Sequence, residues 1–424
     1  MLWLAALVPF FFLTYGFANW VTAQRTDVPS IVFGWEHRIP FLAWTIVPYW
    51  FTDLFYVLSF FICRDRKELD SHGKRLLAAQ IISVACFLLF PLRFSFHAPP
   101  ITGAFSGVFA WLFHALGNFD GPFNQLPSLH LSLTTILWAK YSEHTRGFVR
   151  LLLRCWFVLV GISTLTTYQH HFIDILPGIW VGLACIALFP AERSQTPRSL
   201  RSARIASLYF TGGGVLGLAG LWLGGWGWLL FWPASSLWIV AAAYWIGAPA
   251  IFQTRDTRMD PATTLLLAPY IRARRIHARW STRREPIAQE IADGVWLGRF
   301  LLRNERDALR IASMVNVAAE LPVNTSGVVA RSVPMLDLMA PTVEQLEAAV
   351  AAIDDLNAVR PTVVCCALGY SRSAAAMAAW LVASETSASV DAAIELIQTR
   401  RPAVVLSAGH REQLHAWARA RVHG

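Results

Sequence analysis

Val363–Val364–Cys365–Cys366–Ala367–Leu368–Gly369–Tyr370–Ser371–Arg372–Ser373 reads as a buried strand, then a tight loop, then the start of an alanine-rich helix. The order Cys, five residues, Arg, Ser gathers a thiol, a guanidinium and a hydroxyl around one turn. A thiolate that attacks phosphate needs a lowered pKa, backbone N–H groups aimed at the phosphate oxygens, and a guanidinium fixed for bidentate contact. A strand delivering Cys366 into the loop, with Arg372 and Ser373 opening a helix, supplies all three. The bland alternative is a core cysteine and an unrelated surface arginine.

The surroundings extend this pattern. A soluble domain starts near Glu290. Gly294–Val295–Trp296–Leu297–Gly298 reads as a strand and turn, and Met314–Val315–Asn316–Val317 as another short strand. Val333–Pro334–Met335–Leu336 leads into Asp337. Thr342 and Gln345 form a capping box for a helix over 343–357. A strand over 362–365, the signature loop, and helices over 373–384 and 389–399 follow. Strand–helix alternation predicts an α/β domain with its own core.

The signature, together with Asp-Gly-Val-Trp-Leu-Gly at 293–298 and Asn-Val-Ala-Ala-Glu-Leu-Pro at 316–322, resembles the dual-specificity branch of the protein tyrosine phosphatase superfamily. The resemblance implies Cys366 as nucleophile and Arg372 and the Gly369 loop as the phosphate holder. It implies Asp337 as general acid and Ser373 as the group that assists release from phosphocysteine. The family usually has His where this chain has Cys365. The variable loop positions Ala367, Leu368, Tyr370 and Ser371 carry no cation, which disfavours a highly phosphorylated inositide.

Composition divides the chain. Of 424 residues, 55% are hydrophobic and only 15% charged, with 19 Trp; mean hydropathy is +0.44. That excludes a wholly soluble protein and fits a polytopic membrane protein. The long apolar runs fall within 1–252. The net charge of +9 comes largely from Arg flanking apolar runs, so it reads as membrane topology and not as a nucleic-acid footprint. The six cysteines form no oxidised framework, and no Cys/His metal spacing occurs, so neither metal nor organic cofactor is expected.

Residues 2–20 read as a first span, since no basic segment precedes them and no cleavage site follows. Further spans are expected at 40–62, 75–93, 128–142, 151–168, 173–191, 206–224 and 235–252, each near the ~20 residues a bilayer requires. The stretch 101–116 reads as interfacial or re-entrant. Four basic clusters fix the orientation: Arg64 to Arg75, Arg146 to Arg154, Arg193 to Arg204, and Arg255 to Arg275. All fall on one side if eight spans start from an inner N-terminus. The C-terminal domain is then cytosolic, where thiols stay reduced, and a bacterial inner membrane is the expected location. The expected organisation is 1–200, a membrane domain; 201–252, two additional spans; 253–285, a basic juxtamembrane linker that lies on anionic lipid or is simply solvated; and 286–424, the phosphatase-like domain.

The outer ends of the middle spans carry a second constellation. Arg93 ends one span, Pro127–Ser128–Leu129–His130 opens the next, and Ser163, His170 and Asp174 lie at a later junction. A neutral imidazole can attack phosphorus while a carboxylate fixes its tautomer, and His170 and Asp174 stand at i, i+4. A second imidazole, His130, can protonate the leaving alcohol; Arg93 and Ser128 can hold phosphate oxygens. Pro-Ser-x-His and Ser-x6-His-x3-Asp resemble the type 2 phosphatidic acid phosphatase (PAP2) superfamily, which includes lipid phosphate phosphatases and a head-group transferase branch. The resemblance implies His170 as nucleophile, His130 as acid/base, Asp174 as orienting acid, and Ser128 and Ser163 as substrate-binding positions. Thr164 stands where the phosphatase branch has Arg, which leans toward the transferase branch. His171 is expected to be a non-catalytic neighbour.

The chain thus reads as a multi-domain protein: an all-α bundle of about eight spans, then a soluble α/β domain. The expected activity is that of a membrane phosphatase acting on a phospholipid or its phosphorylated precursor. A membrane-anchored phosphoprotein phosphatase, a degenerate phosphate-binding module and a lipid transporter are the rival readings.

Overall fold

Apolar helices build the first part of the chain because their sequences leave no other way to satisfy backbone polar groups in lipid. In a computed structural model, the structure describes residues 2–102, 106–118, 120–190, 199–252, 254–255, 257–356, 359 and 361–423. Arg193 and Arg198 of the third basic cluster, and the end of the expected 343–357 helix, lie outside them. The chain divides into two compact units, Met1–Glu192 and Arg193–Gly424.

The first unit contains α1 (Leu2–Ala23), α2 (Ile46–Ser59), α3 (Arg66–Leu89), α4 (Ser106–Gly117), α5 (Leu129–His144), α6 (Gly147–Thr166) and α7 (Phe172–Leu188). Asp65 caps α3 by accepting from the Glu68 N–H at 2.8 Å, and Ser128 caps α5 by accepting from the Leu131 N–H at 3.3 Å. These caps fix where the helices enter the bundle. One apolar cluster joins α1, α3, α5 and α7 through Leu7, Tyr15, Leu76, Phe87, Ile136 and Ile186.

The contact between α5 and α7 is unusually close. A Cβ on Gly178 would stand 2.5 Å from the Ser128 carbonyl oxygen. The Ser132 hydroxyl donates to the Gly178 carbonyl at 2.9 Å. Glycine at 178 therefore sets the separation of the two helices whose N-terminal ends carry His130 and Asp174.

The second unit opens with α8 (Leu200–Leu223) and α9 (Phe231–Ile246). Gly213 of α8 faces the Trp238 ring of α9, and the Trp238 indole N–H donates to the Phe210 carbonyl at 3.2 Å. The outward side chains Leu208, Phe210, Leu218 and Trp222 are exposed, as lipid-facing residues are. The sequence reading treats 201–252 as a segment of its own; these helices group with the C-terminal domain.

After them come the short strands β1 (Thr254–Arg255) and β2 (Arg258–Met259), then α10 (Pro261–Ser281). A five-stranded sheet follows, of β3 (Ala288–Ala292), β4 (Val295–Arg299), β5 (Ser313–Ala318), β6 (Val329–Met335) and β7 (Thr362–Cys366), in the order β3-β4-β7-β5-β6. Only β3–β4 is antiparallel. The central strands β5 and β7 are buried along their whole length, as helices on both faces require. The helices are α11 (Arg303–Leu309), α12 (Val343–Leu356), α13 (Arg372–Ala383), α14 (Val390–Arg400) and α15 (Ala408–His423). The capping box at α12 is present: the Thr342 N–H donates to Gln345 at 3.0 Å, and the Gln345 N–H to the Thr342 hydroxyl at 3.2 Å.

Among the described residues, five helices are long and apolar enough to cross a membrane: Leu2–Ala23, Arg66–Leu89, Gly147–Thr166, Leu200–Leu223 and Gly225–Ile246. The expected count was eight. The difference lies in α2, α5 and α7, of 14, 16 and 17 residues. Apolar sequence runs past the ends of α2 and α7, whereas α5 covers nearly all of the expected 128–142 and is itself short. At 1.5 Å per residue, α2 extends only about 21 Å.

Replacing Gly178 with Ala forces α5 and α7 apart. We expect a loss of about 1–3 kcal/mol, typical of overpacking, read as a lower unfolding temperature of the full chain in detergent.

Candidate active sites

The cysteine site grows from the ends of two buried strands. Asn316 in β5 turns its side chain back on its own chain: its amide donates to the Leu321 carbonyl at 2.7 Å, and its oxygen accepts from the Ala318 N–H at 3.1 Å. This fixes the turn that carries Glu320. Strand β7 delivers Cys366, which is 2% exposed. Its sulfur accepts from the Gly369 N–H at 3.3 Å and from the Ser373 hydroxyl at 3.3 Å. Gly369 has φ +77°, and a Cβ there would lie 2.6 Å from the Gly298 carbonyl carbon. Both the backbone angle and the space at this position require glycine.

Arg372 is fully buried. Its guanidinium makes two bonds to Glu320, at 2.7 and 2.8 Å, and donates to the Met335 carbonyl at 2.9 Å. It stands 3.1 Å from Asp337. Burial opposes its charge, but Glu320 and Asp337 outweigh burial and hold it protonated. For Asp337, burial pushes the carboxyl up, while Arg372 and then Arg274 prevail and hold it below the usual carboxylate range.

The structure therefore brings together Cys366, Gly369, Arg372, Ser373 and Asp337. Cys365 faces away: its thiol lies 3.9 Å from Asn316 Oδ1, and burial pushes its pKa up. Tyr370 is tied to the linker, its hydroxyl donating to Glu285 at 2.7 Å. A cleft of about 680 Å³ in this unit is lined by Arg275, Phe300, Arg303 and Arg306 among others and includes none of these five residues. Its size does not mark the chemistry.

The histidine site lies in the first unit. His130 and His170 line one cavity of about 60 Å³ with Tyr49, Thr52, Asp53 and Asp120. His170 Nδ1 is 3.5 Å from Asp174, and the backbone N–H of His170 donates to the Thr164 carbonyl at 3.1 Å. His130 Nε2 lies 2.9 Å from the Thr52 hydroxyl, and the Tyr49 ring stacks on its imidazole at 4.0 Å. Both imidazoles are thus held at the same cavity, one by a carboxylate and one by a hydroxyl and an aromatic face.

The remaining expected residues stand apart from that cavity. The Ser128 hydroxyl is occupied as the α5 cap, while its N–H donates to the Asp174 carbonyl at 3.1 Å. The Ser163 hydroxyl donates to the Val160 carbonyl at 2.6 Å inside α6. Arg93 is exposed and does not line the cavity. It follows Leu92, whose backbone pairs with Asn124. His171 is engaged by Glu36 at 3.1 Å and by the Ser95 hydroxyl at 3.1 Å, in keeping with a supporting role.

Sequence reading passed over several of these groups. Glu320 lies inside the quoted Asn-Val-Ala-Ala-Glu-Leu-Pro run, where an isolated acid among apolar residues was its signal. Arg274 is one of many arginines in the linker and had no distinguishing mark. Tyr49, Asp53 and Asp120 reach the histidine cavity from segments that had been read only as span or loop.

Comparison with known proteins agrees with this division. Residues 38–188 match the family model of the PAP2 superfamily, and residues 299–420 match that of the dual specificity phosphatase catalytic domain. The chain joins a segment that matches the PAP2 superfamily to one that matches the dual specificity phosphatase catalytic domain, and it is a phosphatase with membrane-type helices. Solved structures similar to it include Tk-PTP in its active form, at 26% identity over 32% of this chain and 97% of that one, with a TM-score of 0.30. Human DUSP28 gives the same four values. PTPMT1 in complex with PI(5)P matches at 23% identity over 32% of this chain and 98% of that one, with a TM-score of 0.29. No curated protein matches the chain.

Glu320→Gln leaves the buried Arg372 charge short of its main partner. We expect the phosphatase domain to lose about 3–5 kcal/mol, as when one member of a buried ion pair is removed, measured by thermal or urea unfolding.

Proposed function

We propose that this chain is an integral membrane phosphatase of phospholipid metabolism with two phosphate-handling sites. The observation that carries the reading is the convergence of the Cys366 sulfur, the Gly369 N–H, the Ser373 hydroxyl and Arg372 on one loop, with Asp337 3.1 Å from Arg372. In this reading the Cys366 thiolate attacks phosphorus, and the phosphorus–oxygen bond to the leaving group breaks. Asp337, protonated at that moment, gives its proton to the departing oxygen. Water then attacks the phosphocysteine. The Ser373 hydroxyl hydrogen-bonds to the sulfur as it leaves, and inorganic phosphate is released. Arg372 and the loop N–H groups meet the charge that builds on the phosphoryl oxygens.

At the other site, His170 is the nucleophile toward phosphorus, oriented by Asp174, and His130 is the acid for the leaving alcohol. A cavity lined by imidazoles, tyrosine and carboxylates, with no arginine among its described lining residues, suits a phosphodiester head group better than a doubly charged monoester. This favours hydrolysis or head-group transfer on a diester. The basic clusters support a cytosolic C-terminal domain, in a reducing compartment that suits Cys366, and a histidine site that faces outward. A bacterial inner membrane is the setting we infer. A phospholipid, or the phosphorylated precursor of one, is the substrate class we assign to the cysteine site. The Tyr244 hydroxyl of α9 donates to the Asp337 backbone carbonyl at 3.1 Å, so the acid-bearing loop hangs from an apolar, membrane-type helix. That attachment favours a lipid over a phosphoprotein.

Lipid mass spectrometry of cells carrying wild type, Cys366→Ser or His170→Ala tests both assignments. Each variant should accumulate a distinct phosphorylated lipid. Unchanged lipid profiles in both variants, with both proteins folded and present in the membrane, would sink the lipid reading.

A further inference from the structure

Arg274 reaches the cysteine site from outside the matched catalytic domain. It lies on α10, which follows the last apolar helices. Its guanidinium pairs with one oxygen of the Asp337 carboxylate and stands 3.6 Å from Glu320. The other Asp337 oxygen is 3.1 Å from Arg372, which is in turn bonded to Glu320. Two guanidinium groups and two carboxylates therefore close a ring. The Arg274 side chain is only 15% exposed, so the pairing is poorly screened by solvent.

A leaving-group acid must carry its proton when the bond breaks, and the resting ring works against that. The charged and titratable groups around Asp337 come from every neighbouring element: Arg372 of α13, Arg274 of α10, Glu320 after β5, Tyr244 of α9 and, at longer range, His410 of α15. Burial first, then Arg201 and Arg372, lower His410 to about 4, so it is neutral near pH 7. When a phosphate dianion fills the loop, Arg372 turns part of its fork to the phosphate, and the added negative charge favours the proton on Asp337. Arg274 is not part of the loop. It keeps its hold on the carboxylate and opposes protonation.

We propose that Arg274 is a positioning residue of the cysteine site, which holds Asp337 in place and sets the pH range over which that carboxyl supplies a proton. The proposal rests on Cys366 as nucleophile and Asp337 as acid. The direction of the Asp337 shift, with Arg274 among its causes, agrees with it.

The test uses the full chain in detergent micelles with His170→Ala, so that only the cysteine site turns over. The two probes are phenyl phosphate, whose leaving group needs an acid, and p-nitrophenyl phosphate, whose leaving group does not. In kcat/KM for phenyl phosphate, Arg274→Gln should move the alkaline limb upward by about one pH unit, a roughly tenfold gain at high pH. The p-nitrophenyl phosphate profile should stay in place, and Arg274→Lys should return most of the shift. An unmoved alkaline limb in Arg274→Gln overturns the proposal. So does an equal loss with both probes at every pH, which is what a packing role alone produces. Wild-type rates in Cys366→Ser, or in Asp337→Asn with phenyl phosphate, overturn the underlying assignment instead. Those two variants separate that failure from the first.

Discussion

The bidentate pair between Arg372 and Glu320 is the constraint on which the C-terminal domain is arranged. An arginine does not give up its proton, and an unpaired guanidinium with no exposure is costly. The fold therefore has to bring a carboxylate to it before any substrate arrives. The turn after β5, locked by Asn316, does this. The Met335 carbonyl at the end of β6 adds a third hydrogen bond to it. With its inner edge anchored in this way, Arg372 in the proposed mechanism exchanges Asp337 for phosphate without leaving its place. A phosphate site built on an anchored arginine is organised in advance, which is where most of the catalytic advantage of such sites arises.

The membrane unit solves a similar problem with different groups. Imidazoles can be neutral, so they cost less in an apolar bundle than permanently charged groups do. His130 and His170 are placed by the close contact of α5 with α7, by the 2.9 Å hydrogen bond between His130 and Thr52, and by Asp174 at 3.5 Å from His170. The glycine at 178 that permits the contact is thus a requirement of the site as much as of the fold. Glu36, contributed by the loop before α2, is spent on His171 and on the Phe172 N–H, and so fixes the start of the helix that carries Asp174.

Much of this was legible in the sequence where one local rule dominates. The strand that ends at Cys366, the helix that begins at Arg372 and the capping box at Thr342 are set by neighbours within a few residues. The i, i+4 relation of His170 to Asp174 is equally local. What the sequence hid depends on distant partners. Glu320 meets Arg372 across 52 positions, and Asp120 reaches the histidine cavity from a loop before α5. Arg274 is one cation in a basic run until the fold aims it at Asp337. Apolar runs and helix lengths differ for a related reason. Apolar residues mark burial in lipid or protein, but they do not say where a helix unwinds, so α2 and α7 read longer than they are.

The back-to-back placement of Cys365 and Cys366 has a consequence for oxidative damage. Neighbouring residues on a strand point to opposite faces. Cys365 is turned toward Asn316, and burial keeps its thiol protonated. If peroxide converts Cys366 to a sulfenic acid, the adjacent sulfur is on the wrong side of the sheet to form a disulfide with it. Cys365 therefore does not serve as a resolving thiol for Cys366. Recovery of an oxidised Cys366 then depends on a thiol other than Cys365.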